Sequence, residues 1–133
     1  MFGFFKKEKS QDESLKQQER MISPAEREKL GSEAMSLEKE IKEKTGSERI
    51  GILNQLGECY FQMQDYDRAI DWFEKSLEED ASLGKAHTSL MKLYNIKRRE
   101  AAQKKDGNEV QMYLDKMDKL TNLSKDSMRK GKF

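Results

Sequence analysis

Between Ile52 and Leu77 the apolar residues recur at intervals of three and four, in two runs separated by one polar break. Ile52, Leu53, Leu56, Cys59, Tyr60 and Met63 make the first run, and Ala69, Ile70, Phe73 and Leu77 the second. That period places each set on one face of an α-helix, whereas a strand, whose side chains alternate, cannot bury both. The interruption at residues 62–65, "QMQD", ends the first helix and places Asp65 to accept hydrogen bonds from the open N–H groups of the second. Two amphipathic helices joined by so short a break fold back on each other, so an antiparallel helical hairpin is expected.

The rest of the chain agrees with an all-α fold. Charged residues make up 38% of its 133 residues and hydrophobic residues 35%, so a core must be assembled from narrow stripes on otherwise solvated elements. Pro24 is the only proline, and it stands at a helix start: Ser23 precedes it and Glu26 follows three residues after the serine, the pattern of a capping box. Leu30, Ala34, Leu37 and Ile41 then form one stripe on a helix expected to end near Gly46. Beyond the hairpin, Ala86, Leu90, Leu93 and Tyr94 mark a further helix running to a break at Asp106–Asn108. Val110, Tyr113, Leu114, Met117, Leu120 and Leu123 mark the inward side of the last helix. The expected organisation is an arm over residues 1–22, a packing or capping helix over 23–45, a hairpin over 46–83, a longer hairpin over 84–124 and a basic tail over 125–133.

A period of 34 residues gives these hairpins an identity. Counted from Ile50, Leu53 falls at position four, Leu56 and Gly57 at seven and eight, Tyr60 at eleven, Ala69 at twenty, Phe73 at twenty-four and Ser76 at twenty-seven. In this respect the segment resembles a tetratricopeptide repeat. Ala81 departs from the family pattern, which commonly has proline there. Gly57 and Ala69 are small where the helices approach, and Leu56, Tyr60 and Phe73 fill the remaining space. A degenerate second unit begins at Gly84, with His87, Leu90, Met91 and Tyr94 in the corresponding places and Val110, Leu114 and Met117 aligned with Ala69, Phe73 and Ser76. From Leu90 to Val110 is 20 positions against 13 from Leu56 to Ala69, an excess of seven that is about two turns, expected as one extra turn in each helix. The resemblance implies antiparallel helical hairpins stacked as a short α-solenoid.

It also implies a non-enzymatic adaptor or scaffold that binds a peptide or helix of another protein on its concave face. Carried across position by position, the face comprises Gly51, Asn54, Glu58, Phe61 and Gln62 from the first unit and Lys85, Thr88, Lys92, Asn95 and Ile96 from the second. Asn54 is expected to meet a peptide backbone, Phe61 and Ile96 an apolar side chain, and Lys85 with Lys92 a carboxylate. The two-carboxylate clamp of chaperone-binding members is not reproduced, because Glu58 stands where an asparagine is needed.

Little else in the sequence carries chemistry. His87 is the only histidine and Cys59 the only cysteine, which gives neither a zinc ligand set nor an internal disulfide and fits a reducing, cytoplasmic setting. Asp67 and Asp71 are one turn apart, but carboxylates early in a helix also complement its positive end. No phosphate-binding glycine loop, nucleophile motif or cofactor site is apparent, so no enzyme activity is expected.

Charge is unevenly spread. Residues 50–83 carry 2 positive and 8 negative side chains, a balance of −6, and residues 84–133 carry 13 and 6, a balance of +7. Self-association of opposite segments is therefore an alternative, testable by its salt dependence. Lys97, Arg98, Lys104 and Lys105 form a basic stripe, but without interleaved aromatics nucleic acid is disfavoured. The opening "MFGFFKK" supplies Phe2, Phe4 and Phe5 beside Lys6 and Lys7, a set suited to a partner's groove or, as a third reading, to peripheral contact with a membrane surface.

Overall fold

The computed structural model describes residues 22–81 and 84–130, the last five of these by backbone alone. Among them are helices α1 (Pro24–Glu40), α2 (Gly46–Gln62), α3 (Tyr66–Glu79), α4 (Lys85–Gln103) and α5 (Gly107–Lys130), and no strand. Each packs on its neighbour in chain order, as expected of stacked antiparallel helical hairpins.

Ser23 caps α1 by accepting the Glu26 N–H at 3.2 Å, and the serine hydroxyl donates to Glu26 Oε1 at 3.4 Å. The helix does not run on to Gly46. It tightens at Ile41 into a 3-10 turn, Ile41–Glu43, and Arg49 of α2 donates to the Ile41 carbonyl at 3.2 Å. The same guanidinium holds both oxygens of Glu79, at 2.8 and 3.1 Å, tying the start of α2 to the end of α3. At the hairpin bend, Asp65 accepts the Arg68 N–H at 3.3 Å and begins α3.

Two clusters form the core. Ala34, Leu37 and Ile41 meet Ile52, Leu53, Leu56 and Cys59 in the first, and Ala69, Ile70 and Phe73 meet Ala86, Leu90, Leu93, Tyr94, Tyr113 and Leu120 in the second. Tyr60 packs against both. At the crossing of α2 and α3, a Cβ on Gly57 would lie 2.6–2.7 Å from three carbons of the Phe73 ring. The absence of a side chain at Gly57 is what lets the Phe73 ring lie against the α2 backbone.

The seven additional residues are not shared between α4 and α5. In the α2–α3 turn, Met63, Gln64 and Asp65 donate to Cys59, Phe61 and Tyr60, and in the α4–α5 turn Lys104, Lys105 and Asp106 donate to Glu100, Ala102 and Ala101. Gln64 and Lys105 both have positive φ, 63° and 60°. From Met63 to Lys104 is 41 positions, so one turn geometry recurs at 41. The fully buried Leu56 and Leu90 are 34 apart, and the whole excess of seven lies in α4 between Leu90 and the turn. The break accordingly falls at Lys104–Lys105, just ahead of the Asp106–Asn108 expected, and Asp106 caps α5 by accepting the Glu109 N–H at 3.1 Å.

Burial on α5 departs from expectation at one position. Tyr94 faces Tyr113 with ring centroids 6.2 Å apart, and His87 faces Leu120, so Tyr113 and Leu120 point inward while Leu114 is 39% exposed. Leu114, 41 positions after Phe73 as the two turns are 41 apart, holds the corresponding place relative to the turn but not the corresponding burial.

Candidate functional site

The residues expected to form a binding face lie on α2 and α4 at spacings of three and four, which brings those on each helix toward one side. Glu58 joins the two helices: its carboxylate lies 2.9 Å from Lys85 Nζ and accepts Gln62 Nε2 at 3.3 Å. Gly51, Gln62, Thr88 and Lys92 are exposed. Lys85 is thus already engaged, and of the two lysines expected to hold a carboxylate, Lys92 alone has no ion pair among the described residues.

The other members are less open than their spacing suggests. The Phe61 ring is half-buried, stacks edge-on against Tyr66 at 5.8 Å and packs on the second core cluster. Asn95 Oδ1 accepts two bonds from Arg98, at 3.2 and 2.8 Å, an engagement the sequence reading missed. Ile96 is half-buried. Asn54 Oδ1 is buried with no hydrogen-bond partner, so Asn54 can offer a peptide both ends of its carboxamide only by swinging its side chain outward. Phe2, Phe4, Phe5, Lys6 and Lys7 lie outside the described residues.

Charged groups singled out in the sequence have structural partners. Lys97 of the basic stripe is 14% exposed and lies 3.1 Å from Asp67 and 3.3 Å from Glu100. Lys116 reaches Glu74 at 2.9 Å, and Glu74 also accepts the Tyr94 hydroxyl. Together with Lys85–Glu58, these pairs neutralise acidic residues of the 50–83 segment with basic residues of the same chain. His87 Nε2 lies 3.1 Å from the Leu120 carbonyl oxygen, which can only accept, so Nε2 carries the proton and ties α4 to α5.

Cys59 is 5% exposed, and burial, reinforced by the nearby Glu33 carboxylate, pushes its thiol up to about 11. The thiolate is the reactive form, so alkylation by iodoacetamide at neutral pH should run about a hundredfold slower than for a free thiol on ionisation alone. Denaturant should restore the ordinary rate. Rapid labelling of the folded chain would show that α2 opens readily.

Clefts not anticipated from spacing occur elsewhere. One of ≈510 Å³ is bordered by Leu77, Tyr94, Leu120 and Leu123, and others follow the seam of α1 and α3 around Trp72. The signal for the seam was Met35, an apolar residue out of register with the Leu30–Ile41 stripe and 63% exposed. Among the described residues, no group of histidine, cysteine and carboxylate side chains is placed to hold a metal, and no helix is long and apolar enough to cross a membrane.

Comparison with known proteins finds a family model, described as the tetratricopeptide repeat, that matches residues 51–83. No curated protein and no solved structure matches the chain. The α2–α3 hairpin, crossing at Gly57 and Phe73, together with that match identifies residues 51–83 as a tetratricopeptide repeat.

Proposed function

We propose that this chain is an adaptor that binds a peptide or helix of another protein along the exposed side of α2 and α4. Tetratricopeptide repeats are in general protein–protein interaction modules, and their residues of identity are structural ones, which leaves the exposed positions to choose the partner. The observation that carries the reading is the Glu58–Lys85 bridge, which joins the polar sides of two successive first helices into one surface. On this reading residues 84–124 act as a second, extended repeat. Thr88, Lys92 and Gln62 supply the accessible polar contacts, and Lys92 favours a partner carboxylate.

Affinity capture with the wild-type chain and an Asn54→Ala, Lys92→Glu variant tests it. A protein retained by the first and lost by the second, with about a tenfold or greater loss of affinity on remeasurement, is expected if these positions are central to the interface. Thermal unfolding should be nearly unchanged, since Lys92 is exposed and Asn54 Oδ1 has no bond to lose. Identical capture by both chains would remove the α2–α4 surface as the binding face.

A further inference from the structure

The seam between α1 and α3 offers a surface distinct from the one proposed above. Two adjoining clefts of ≈490 and ≈350 Å³ meet at Trp72 and Glu38. The apolar part of their lining is Met35, Ile41 and the half-buried Trp72 ring. At 63% exposure Met35 is the most exposed large apolar side chain among the described residues, and beside the Trp72 ring it gives the seam an open apolar floor.

The rim selects the partner. Lys39 and Lys42 border one cleft and Lys75 the other, all three exposed and none within an ion pair among the described residues. These three cations, with Arg68 already paired to Asp65 at 3.6 Å, face two carboxylates, Glu38 and Asp71, and Glu38 also accepts the Tyr60 hydroxyl at 3.2 Å. An apolar floor inside a net-positive rim is complementary to an acidic segment that carries an apolar side chain. The chain's own opening, "MFGFFKK", has the apolar side chains but the wrong charge. Its acidic stretch has the right charge, but among its described residues Ile52, Leu53, Leu56, Ile70 and Phe73 are buried and Phe61 and Leu77 are packed on the second core cluster, which favours a separate partner over a second copy.

We propose that the α1–α3 seam is a docking surface for an acidic partner segment, which seats an apolar side chain between Met35 and Trp72 and sets its carboxylates against Lys39, Lys42 and Lys75. Trp72 is the only tryptophan of the chain, so its emission reports on this seam alone.

The test is titration of the full chain with a synthetic amphipathic Glu/Leu peptide, followed by Trp72 fluorescence, with Glu/Ser and Lys/Leu peptides of equal length as controls. A saturable blue shift with the Glu/Leu peptide alone is expected. Affinity should fall about tenfold or more in a Lys39→Glu, Lys42→Glu, Lys75→Glu variant and in Met35→Asp, and should weaken as added salt screens the rim. All four positions are exposed, so unchanged helical circular dichroism would separate lost binding from lost folding. The Asn54→Ala, Lys92→Glu variant should titrate as wild type, which keeps this surface separable from the α2–α4 face. The proposal is overturned by any of four results: no shift, an equal response to the Lys/Leu peptide, undiminished binding by the triple variant, or a response seen only after residues 1–21 are removed. The last would give the seam to the chain's own leading segment.

Discussion

Phe73→Ala is expected to lower the unfolding free energy by about 3–5 kcal/mol, a large part of the roughly 5–15 kcal/mol that holds a domain of this size together. The ring is fully buried, and its edge occupies the space that the missing side chain of Gly57 leaves open. Truncation therefore leaves a cavity that the helices cannot readily close, because the Asp65 turn at one end and the Arg49–Glu79 pair at the other hold their separation. The contact can be tested from the other side. Gly57→Ala gains about 1 kcal/mol of helix propensity but drives a Cβ into three ring carbons, an overpacking that costs about 1–3 kcal/mol. With the ring enclosed on all sides, the loss wins. Adding Phe73→Leu, which removes the obstructing ring, should make the double variant less destabilised than the sum of its parts, as read from urea midpoints. Additivity within about 0.5 kcal/mol would show that the two positions do not meet as described.

The contact was legible in the sequence because both positions are fixed by local spacing: a glycine and an aromatic on facing stripes of two helices joined by a short turn. One hairpin later the same logic gave the position of Leu114 but not its burial. Leu114 lies at a plausible interval from Val110, but an interval locates a residue on its own helix and says nothing about where the partner helix has slid. Leu114 keeps Phe73's place relative to a turn that recurs 41 residues after its counterpart, but α4 carries seven more residues between Leu90 and that turn, and it is Tyr113 that meets Tyr94. The binding face was legible only as a set of positions. Whether Lys85 is available depends on Glu58, whether Asn95 is available depends on Arg98, and both pairings require the rotamers of the folded chain. Charge followed the same course. Opposite balances in neighbouring segments were readable, but which charges pair was not: Asp67 and Glu74 find Lys97 and Lys116 across the α3–α4 and α3–α5 contacts of one chain.

Leu90→Ala should cost about 2–5 kcal/mol, and its effect should be spread unevenly along the chain. Leu90 is fully buried in the cluster formed by α3, α4 and α5, whereas Leu53, equally buried, belongs to the cluster of α1 and α2. In a stacked array each repeat contacts only its neighbours, so stability is a sum of local interfaces and need not be lost all at once. Amide hydrogen exchange should therefore accelerate most in α4 and α5, by more than about a hundredfold if some 3 kcal/mol is lost there, and least in α1. Leu53→Ala should invert that pattern, releasing α1 and the start of α2 while α5 stays protected. The clusters are not wholly separate: Tyr60 packs on both, and the Gly57–Phe73 contact joins a helix of the first to the second. If both substitutions instead speed exchange equally in every helix, those contacts bind the clusters into one cooperative unit, and a partner docking on either face would stabilise the whole chain.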